Sequence, residues 1–273
     1  MPVSRLTGLF VISMLLSGVS MAVDGPKSSY WAFWDKSGAR STPINHSGLD
    51  FILRTYVVTD HPSGINRFRY KAVSSADKQK LEEYITVTAK IDPRDYVRDE
   101  QKIYWMNLYN AVTINLVLDY YPINSIRDIS VKSGNTDPLN TELVTVAGQP
   151  LALNDIEHRI LRPIWKDFKI HFGLVCASLG CPNVQPEAFT TANSKKLLKK
   201  AGRDFVNHRR GLQLENGQLQ VSSLFDWYEL DFATNQKKLL KLFAHYAEDR
   251  KALYLLGFDG EISYTYDWRL NAP

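Results

Sequence analysis

Hydrophobic residues recur at helical spacing along much of this chain, and in the longest such stretch they occupy nearly every side. An amphipathic pattern over Ser75–Ile91 predicts a helix that Pro93 ends. The Glu100–Tyr121 stretch is apolar around almost the whole helical wheel, which predicts a central, buried helix that ends at Pro122. Shorter helices are predicted over Asp155–Trp165, Ser194–Asn207, Ser223–Tyr228, Gln236–Ala247 and Arg250–Leu256.

Shorter apolar runs between turn signals predict strands. These runs are Leu143–Val146, Pro150–Leu153, Ile170–Ala177, Leu212–Glu215, Leu219–Val221 and Ile262–Tyr266. Asn216-Gly217 is a strong hairpin signal, and Ala147-Gly148-Gln149 suggests a second hairpin. The pattern as a whole predicts a helix-rich α+β single domain with a central buried helix and a small, mostly antiparallel sheet.

The N-terminal residues have the pattern of a secretory signal peptide. Arg5 is the only charged residue before Asp24, an apolar stretch follows from Leu6 to Val19, and small residues precede a cut after Ala22. The stretch is shorter than the roughly 20 apolar residues of a membrane-spanning helix, so we expect no stable membrane insertion after cleavage. The mature protein is therefore expected to be periplasmic or secreted, where disulfides persist.

Composition divides the rest of the chain into a linker and one domain. Residues 23–44 are rich in Gly, Pro and Ser and are expected to form a linker whose aromatics dock on the domain. No further linker or internal repeat follows, so residues 45–273 are expected to form a single globular domain.

Charge and motifs exclude several functions. The net charge is +4, and the basic runs at Lys195–Lys200 and Lys237–Lys241 alternate with leucines, as on solvated helix faces. No nucleic-acid partner is therefore expected. The sequence contains no P-loop, dinucleotide fingerprint, G-x-S-x-G or H-E-x-x-H motif, and no cofactor is predicted.

Glu157 and His158 are candidate catalytic residues. Asn154 and Glu157 have the spacing of a capping box, which gives Glu157 a structural explanation. Glu157 also falls within the apolar arc of its helix, where a carboxylate needs a partner, and His158 lies at the edge of that arc. Adjacent titratable groups in such a position suit acid–base chemistry.

Asn107 and Asn110 lie three residues apart on an otherwise apolar helix face. Buried amides need hydrogen-bond partners, so the pair is expected either to anchor a loop or to orient a catalytic imidazole.

Cys176 and Cys181 are the only cysteines, and the loop between them is short enough for a disulfide. A disulfide, a reactive thiol and a zinc site are the alternatives, although this spacing matches no standard zinc site. In a regular strand His171 and Cys176 face opposite ways, so His158 is the better expected partner for a thiol.

Several segments, taken in order, resemble the family called domain of unknown function 547, in its exported bacterial form. They are "NHSGLDFILRTYV", "YWMNLYNAVTINLVLDYYP", "LNDIEHRILRPIW", "IHFGLVCASLGCPN", "LFDWYELDF" and "YDWRLN", spread over residues 45–271. The resemblance implies one helix-rich α+β domain of unassigned molecular function. The family's motif positions fall on Asn107, Asn110, Glu157, His158, Cys176, Ser178 and Cys181.

The chain departs from the family pattern in two places. Asp137-Pro138-Leu139 stands where members often have Gly-Pro-Trp, and Val175 stands where many have Asn before the first cysteine.

Two functions remain open. The first is a thiol-dependent hydrolase or acyl transferase, with Cys176 or Cys181 as nucleophile, His158 as base, and Glu157 or an Asn orienting the imidazole. The second is a non-enzymatic binding or scaffold protein with a structural Cys176–Cys181 disulfide. Either would take an unknown small molecule or peptide as its ligand, and Asn107, Asn110 and Ser178 are candidate binding residues.

Overall fold

The computed structural model describes residues 28–131 and 137–273. The expected signal peptide and the first residues of the expected linker lie outside the described residues. In the described ranges helices predominate over small sheets, which confirms the helix-rich α+β class. No helix in these two ranges is both long and apolar enough to cross a membrane.

Most α-helices of the described ranges lie where the hydrophobic pattern predicts helices, whereas those at Ser47–Tyr56 and Glu229–Phe232 were not predicted. The α-helices of these ranges are α1 (Ser47–Tyr56), α2 (Ser75–Ala89), α3 (Arg98–Tyr120), α4 (Arg162–Trp165), α5 (Ser194–Asn207), α6 (Leu224–Trp227), α7 (Glu229–Phe232), α8 (Gln236–Tyr246) and α9 (Asp249–Gly257). Short 3-10 helices lie at Ala32–Trp34, Tyr70–Ala72, Pro93–Asp95, Ile126–Asp128, Pro138–Asn140 and Phe168–Phe172.

The predicted central helix is α3, and it is buried on all sides over most of its length. Every residue from Ile103 to Ile114 is buried. Helix α2 packs along α3, and so does the segment that carries Glu157. The all-round apolar pattern therefore predicted the environment of this helix correctly, and it leaves Asn107 and Asn110 to find partners in the interior.

Strands form three small sheets. The strands are β1 (Val57–Val58), β2 (Arg67–Phe68), β3 (Val144–Val146), β4 (Gln149–Leu151), β5 (Leu212–Glu215), β6 (Gln218–Ser222) and β7 (Ile262–Thr265). β1–β2, β3–β4 and β5–β6 are antiparallel, and β7 joins β6 in parallel. Asn216 and Gly217 both have positive φ, which is the conformation that an Asn-Gly hairpin turn requires.

The predicted strand over Ile170–Ala177 is wrong. Residues Phe168–Phe172 form a 3-10 helix, in which the Asp167 side chain accepts a bond from the Lys169 N–H. Past Gly173 the chain is a loop, and Ala177 has a φ of 54°, which ends any extended run. An apolar run alone does not distinguish a strand from a buried loop. Strand alternation therefore does not set the directions of the His171 and Cys176 side chains.

The helix predicted over Asp155–Trp165 begins as a π-helix, Asp155–Leu161, and continues as α4. Pro163 has no N–H to donate to a carbonyl of the preceding turns. The carbonyls of His158 and Arg159 accept bonds from Ser29 and Trp31. The N-terminal segment thus satisfies backbone groups next to the proline. π-Helical turns are frequent at functional sites.

Aromatics of the expected linker dock on the domain. Trp34 is 1% exposed, and its ring lies edge-on to that of Trp105, with 4.9 Å between centroids. Trp34 and Trp105 belong to a large cluster of buried apolar side chains that is centred on α3. A second apolar cluster includes Phe205, Phe225 and Phe243. A cleft opens where the two clusters adjoin, since Leu174 of the first and Leu224 of the second both line it.

Candidate functional site

The cleft has a volume of about 510 Å³, which is within the range of small-molecule sites. We call Trp227, Tyr266 and Trp268 its aromatic wall, and Glu157, His158 and His171 its polar wall. Cys176 also lines the cleft. The structure therefore brings three of the predicted catalytic residues, Glu157, His158 and Cys176, to one concave site.

Glu157 lies on the π-helix, where it is 7% exposed. Its carboxylate accepts a hydrogen bond from the Tyr109 hydroxyl at 3.1 Å, and Nδ1 of His171 lies 3.5 Å from its other oxygen. Burial raises the pKa of Glu157, but the neighbouring His158 and His171 outweigh it and bring the pKa to about 2. The expectation that this carboxylate needs a partner is confirmed, and the group is ionised at neutral pH.

His171 is held between two carboxylates. Its Nε2 lies 2.8 Å from Oδ2 of Asp231, and its Nδ1 faces Glu157. Tyr228 stacks on the ring, with 4.2 Å between centroids. Burial lowers the pKa of His171, but its bonds to Asp231 and Glu157 outweigh burial and raise the pKa above its ordinary value. The two carboxylates therefore favour the imidazolium form of this ring, which bridges the π-helix to α7.

The pKa of His158 is shifted in the opposite direction to that of His171. Burial lowers the pKa of His158, and the nearby Arg162 acts in the same direction. Nη1 of Arg162 lies 3.2 Å from Nδ1 of His158. Because a guanidinium only donates, Nδ1 accepts this bond and the ring proton is on Nε2. The acceptor lone pair of the neutral ring is thus engaged, and His158 has no second lone pair with which to take a proton.

Arg162 and Asp231 lie behind the polar wall. Nε of Arg162 bonds to Oδ2 of Asp231 at 2.5 Å. Burial raises the pKa of Asp231, but the bonds from His171 and Arg162 outweigh it and bring the pKa to about 2. The polar wall is therefore a network in which each carboxylate faces a cation.

The two cysteines are joined by a disulfide, with their Cα atoms 5.8 Å apart. Cys176 is half-buried and lines the cleft, whereas Cys181 is 4% exposed. The Cys176 N–H donates to Sγ of Cys181 at 3.2 Å. In the part of the chain that the structure describes, neither cysteine is free. Of the three alternatives for this pair, the structure has the disulfide.

The two asparagines of α3 anchor loops. The Asn110 amide donates to the Gly173 carbonyl and accepts from the Val175 N–H, both at 2.9 Å. Asn107 makes the same pair of bonds to the backbone of Phe189, at 2.8 and 3.0 Å. Asn110 therefore fixes the loop next to Cys176, and both amide groups bind backbone rather than an imidazole.

Ser178 lies beneath the aromatic wall. It is 2% exposed, and its hydroxyl is hydrogen-bonded to the Tyr266 hydroxyl at 2.7 Å. Gly180 donates its N–H to the Asp267 carbonyl, and a Cβ at this glycine would lie 2.8 Å from the Asp267 nitrogen. The cysteine loop and the C-terminal segment are therefore in direct contact, and only glycine fits at this point.

The rings of the aromatic wall touch one another. Centroids are 4.8 Å apart for Trp227 and Tyr266, 4.7 Å for Tyr266 and Trp268, and 5.4 Å for Trp227 and Trp268. Arg127 lies over the Trp268 ring, 4.8 Å from its centroid. The result is a continuous, half-buried aromatic surface with a cation beside it.

Sequence reasoning missed His171, Arg162 and Asp231 as site residues, and it missed the aromatic wall. The wrongly predicted strand places the His171 side chain on the face opposite Cys176. The segments "LFDWYELDF" and "YDWRLN", which carried the family resemblance, contain Asp231 and the whole aromatic wall. Within the described ranges, no group of three or more His, Cys, Asp or Glu side chains is placed to hold a metal ion.

Fold and site together define a helix-rich α+β domain with a concave site that an aromatic surface and a buried ion network enclose. Residues 93–206 match the model of the family described as "Protein of unknown function, DUF547", and over this segment the chain is similar to that family. No curated protein and no solved structure matches the chain. The segment contains the polar wall and the cysteine loop, whereas Asp231 and the aromatic wall lie beyond it.

Proposed function

We propose that this is an exported protein that binds a small organic molecule in the cleft. The observation that carries the proposal is the aromatic wall, a continuous surface of three rings that opens into a cleft of about 510 Å³. Pockets of this size, lined by aromatics with a few fixed polar groups, are typical of small-ligand sites. The disulfide and the Asn110 side chain fix the loop that carries Cys176, so this part of the cleft lining is held in place for a ligand.

The chemistry of the wall indicates the class of ligand. Flat apolar groups stack well on Trp and Tyr faces. Arg127 adds a positive charge beside Trp268, which favours a ligand with an anionic or polar end. We therefore expect a molecule that combines a flat apolar part with an anionic group.

8-Anilinonaphthalene-1-sulfonate is a probe with these two features. Titration of the folded protein should give saturable fluorescence, and Trp268→Ala should weaken binding about tenfold, the loss expected when an aromatic contact and its buried area are removed. Trp31→Ala is the matched control, since Trp31 is also half-buried but lies outside the cleft. Equal binding by both variants, each shown to be folded by thermal melting, would rule the cleft out as the binding site.

A thiol-dependent hydrolase or acyl transferase is the second candidate, because Cys176 shares the cleft with Glu157 and His158. It requires reduction of the disulfide, and it requires His158 to release Arg162 before the ring can accept a proton. The test is hydrolysis of p-nitrophenyl acetate by the reduced protein. Turnover that Cys176→Ser abolishes and Cys181→Ser keeps would favour this candidate over simple binding.

A further inference from the structure

We infer that the Cys176–Cys181 disulfide is a one-sided thiol–disulfide exchange site, which captures a thiol that enters the cleft as a mixed disulfide on Cys176. The inference rests on the proposed function in one respect, since it requires the cleft to admit a small molecule. It adds a covalent activity and a ligand class, namely thiols with a flat apolar body.

Access to the two sulfur atoms is unequal. Cys176 is half-buried and lines the cleft, whereas Cys181 is 4% exposed and lies among buried residues behind it. Exchange begins when a thiolate attacks one sulfur of a disulfide, and access decides which sulfur is attacked. A thiolate in the cleft therefore reaches Cys176, and Cys181 becomes the leaving group.

The surroundings of Cys181 suit a leaving thiolate. Its Sγ already accepts the Cys176 N–H at 3.2 Å, a bond that stabilises negative charge on the sulfur. The Leu174 carbonyl oxygen lies 3.5 Å from the same Sγ and is placed to accept an S–H once the thiolate takes a proton. A stabilised thiolate leaves faster.

The loop has supports besides the disulfide. Asn110 holds Gly173 and Val175, and the Leu179 and Gly180 N–H groups donate to carbonyls of the C-terminal segment. Arg210 donates to the Cys181 carbonyl at 3.0 Å. Opening the disulfide therefore removes one of several restraints, and we expect the cleft to keep its shape.

The exchange replaces one disulfide bond with another. The incoming thiolate forms a bond to Sγ of Cys176, the bond between Cys176 and Cys181 breaks, and its electron pair leaves with Cys181. Water supplies the proton that makes Cys181 a thiol. The captured thiol is oxidised to the disulfide level and Cys181 is reduced, so no other oxidant or reductant takes part.

The aromatic wall selects among thiols. Benzyl mercaptan and 2-mercaptoethanol have closely similar acidity but differ in the ring that could stack on Trp227, Tyr266 or Trp268. One such aromatic contact should make exchange with benzyl mercaptan about fivefold faster than with 2-mercaptoethanol. Trp268→Ala should reduce this preference, and the control Trp31→Ala should keep it.

The experiment uses the oxidised, folded protein. It is incubated with benzyl mercaptan, quenched with iodoacetamide and mapped by peptide mass spectrometry. The expected product carries the benzylthio group on Cys176 and the carbamidomethyl group on Cys181. Urea-unfolded protein, in which both sulfurs are accessible, should give both regioisomers.

Three results would overturn the inference. They are a benzylthio group mainly on Cys181, equal shares on both cysteines of the folded protein, and a folded protein that reacts only after unfolding. The anilinonaphthalenesulfonate titration separates the two proposals. Probe binding without a Cys176 adduct leaves the binding function and removes the exchange activity. An adduct without probe binding leaves the exchange activity and removes the proposed preference for a ligand with an anionic group.

Discussion

The two walls of the cleft are built in different ways. In the polar wall, Glu157 and His171 are buried, and each side chain is held by at least two others. In the aromatic wall, Trp227, Tyr266 and Trp268 are half-buried and touch mainly one another. Interactions in the polar wall are directional, and removing one partner leaves a buried charge unpaired and destabilises the fold strongly. Stacked rings can shift and repack instead.

This difference assigns different roles to the walls. A network of buried charges that must stay paired fixes the positions of the π-helix and α7 relative to one another. A surface of stacked rings can bind a ligand in more than one position. We therefore expect substitutions in the polar wall to lower stability first, and substitutions in the aromatic wall to lower binding first.

The largest effect is expected for Glu157→Gln. The substitution keeps the size of the side chain and removes the charge that faces His171. Because it leaves a buried cation with one partner fewer, the free energy of unfolding should fall by about 3 kcal/mol. Urea denaturation followed by circular dichroism measures this loss.

Glu83→Gln is the control for this substitution, since Glu83 lies exposed on α2. Its effect should stay within about 0.5 kcal/mol. If both variants unfold at the same urea concentration, the polar wall is not the rigid element of the site.

Most of the helices, although not α1 and α7, were predictable because their burial follows from local pattern. The all-round apolar stretch of α3 predicts a buried helix, and Glu157 inside an apolar arc predicts a paired carboxylate. Both predictions are confirmed. The second could be made from local pattern alone because a buried charge needs a partner, whichever part of the chain supplies it.

The identity of that partner was not predictable. Asp231 reaches His171 across 60 residues of sequence, and Tyr109 reaches Glu157 across 48. No local period encodes such contacts. The run from Ile170 to Ala177 is apolar, as a buried strand is, but the Asn110 side chain bonds two of its backbone groups, which the sequence pattern does not reveal.

A smaller effect is expected from pH, through His171. Its pKa is raised from the ordinary 6.5, so the charged ring stabilises the fold below about pH 6.5, and this contribution is lost as the pH rises through the higher folded value. The pKa of Glu157 and that of Asp231 are lowered to about 2, so their contribution is complete only above about pH 4.5 and is lost toward pH 2.

The measurement compares melting temperatures of the wild type and His171→Asn across this range. The advantage of the wild type should be greatest between about pH 4.5 and 6.5 and should shrink above it. His208→Asn should show the opposite trend, because burial lowers the pKa of His208 and its contribution grows as the pH rises. Parallel curves for the wild type and His171→Asn would mean that His171 is not held as an imidazolium.

The smallest effect on stability is expected in the aromatic wall. Trp268→Ala removes ring contacts with Trp227 and Tyr266 from a half-buried position, so the free energy of unfolding should fall by only about 1 kcal/mol. Urea denaturation of this variant beside Glu157→Gln measures the difference between the walls directly. A loss for Trp268→Ala as large as that for Glu157→Gln would mean that the aromatic wall is part of the core rather than a surface kept open for a ligand.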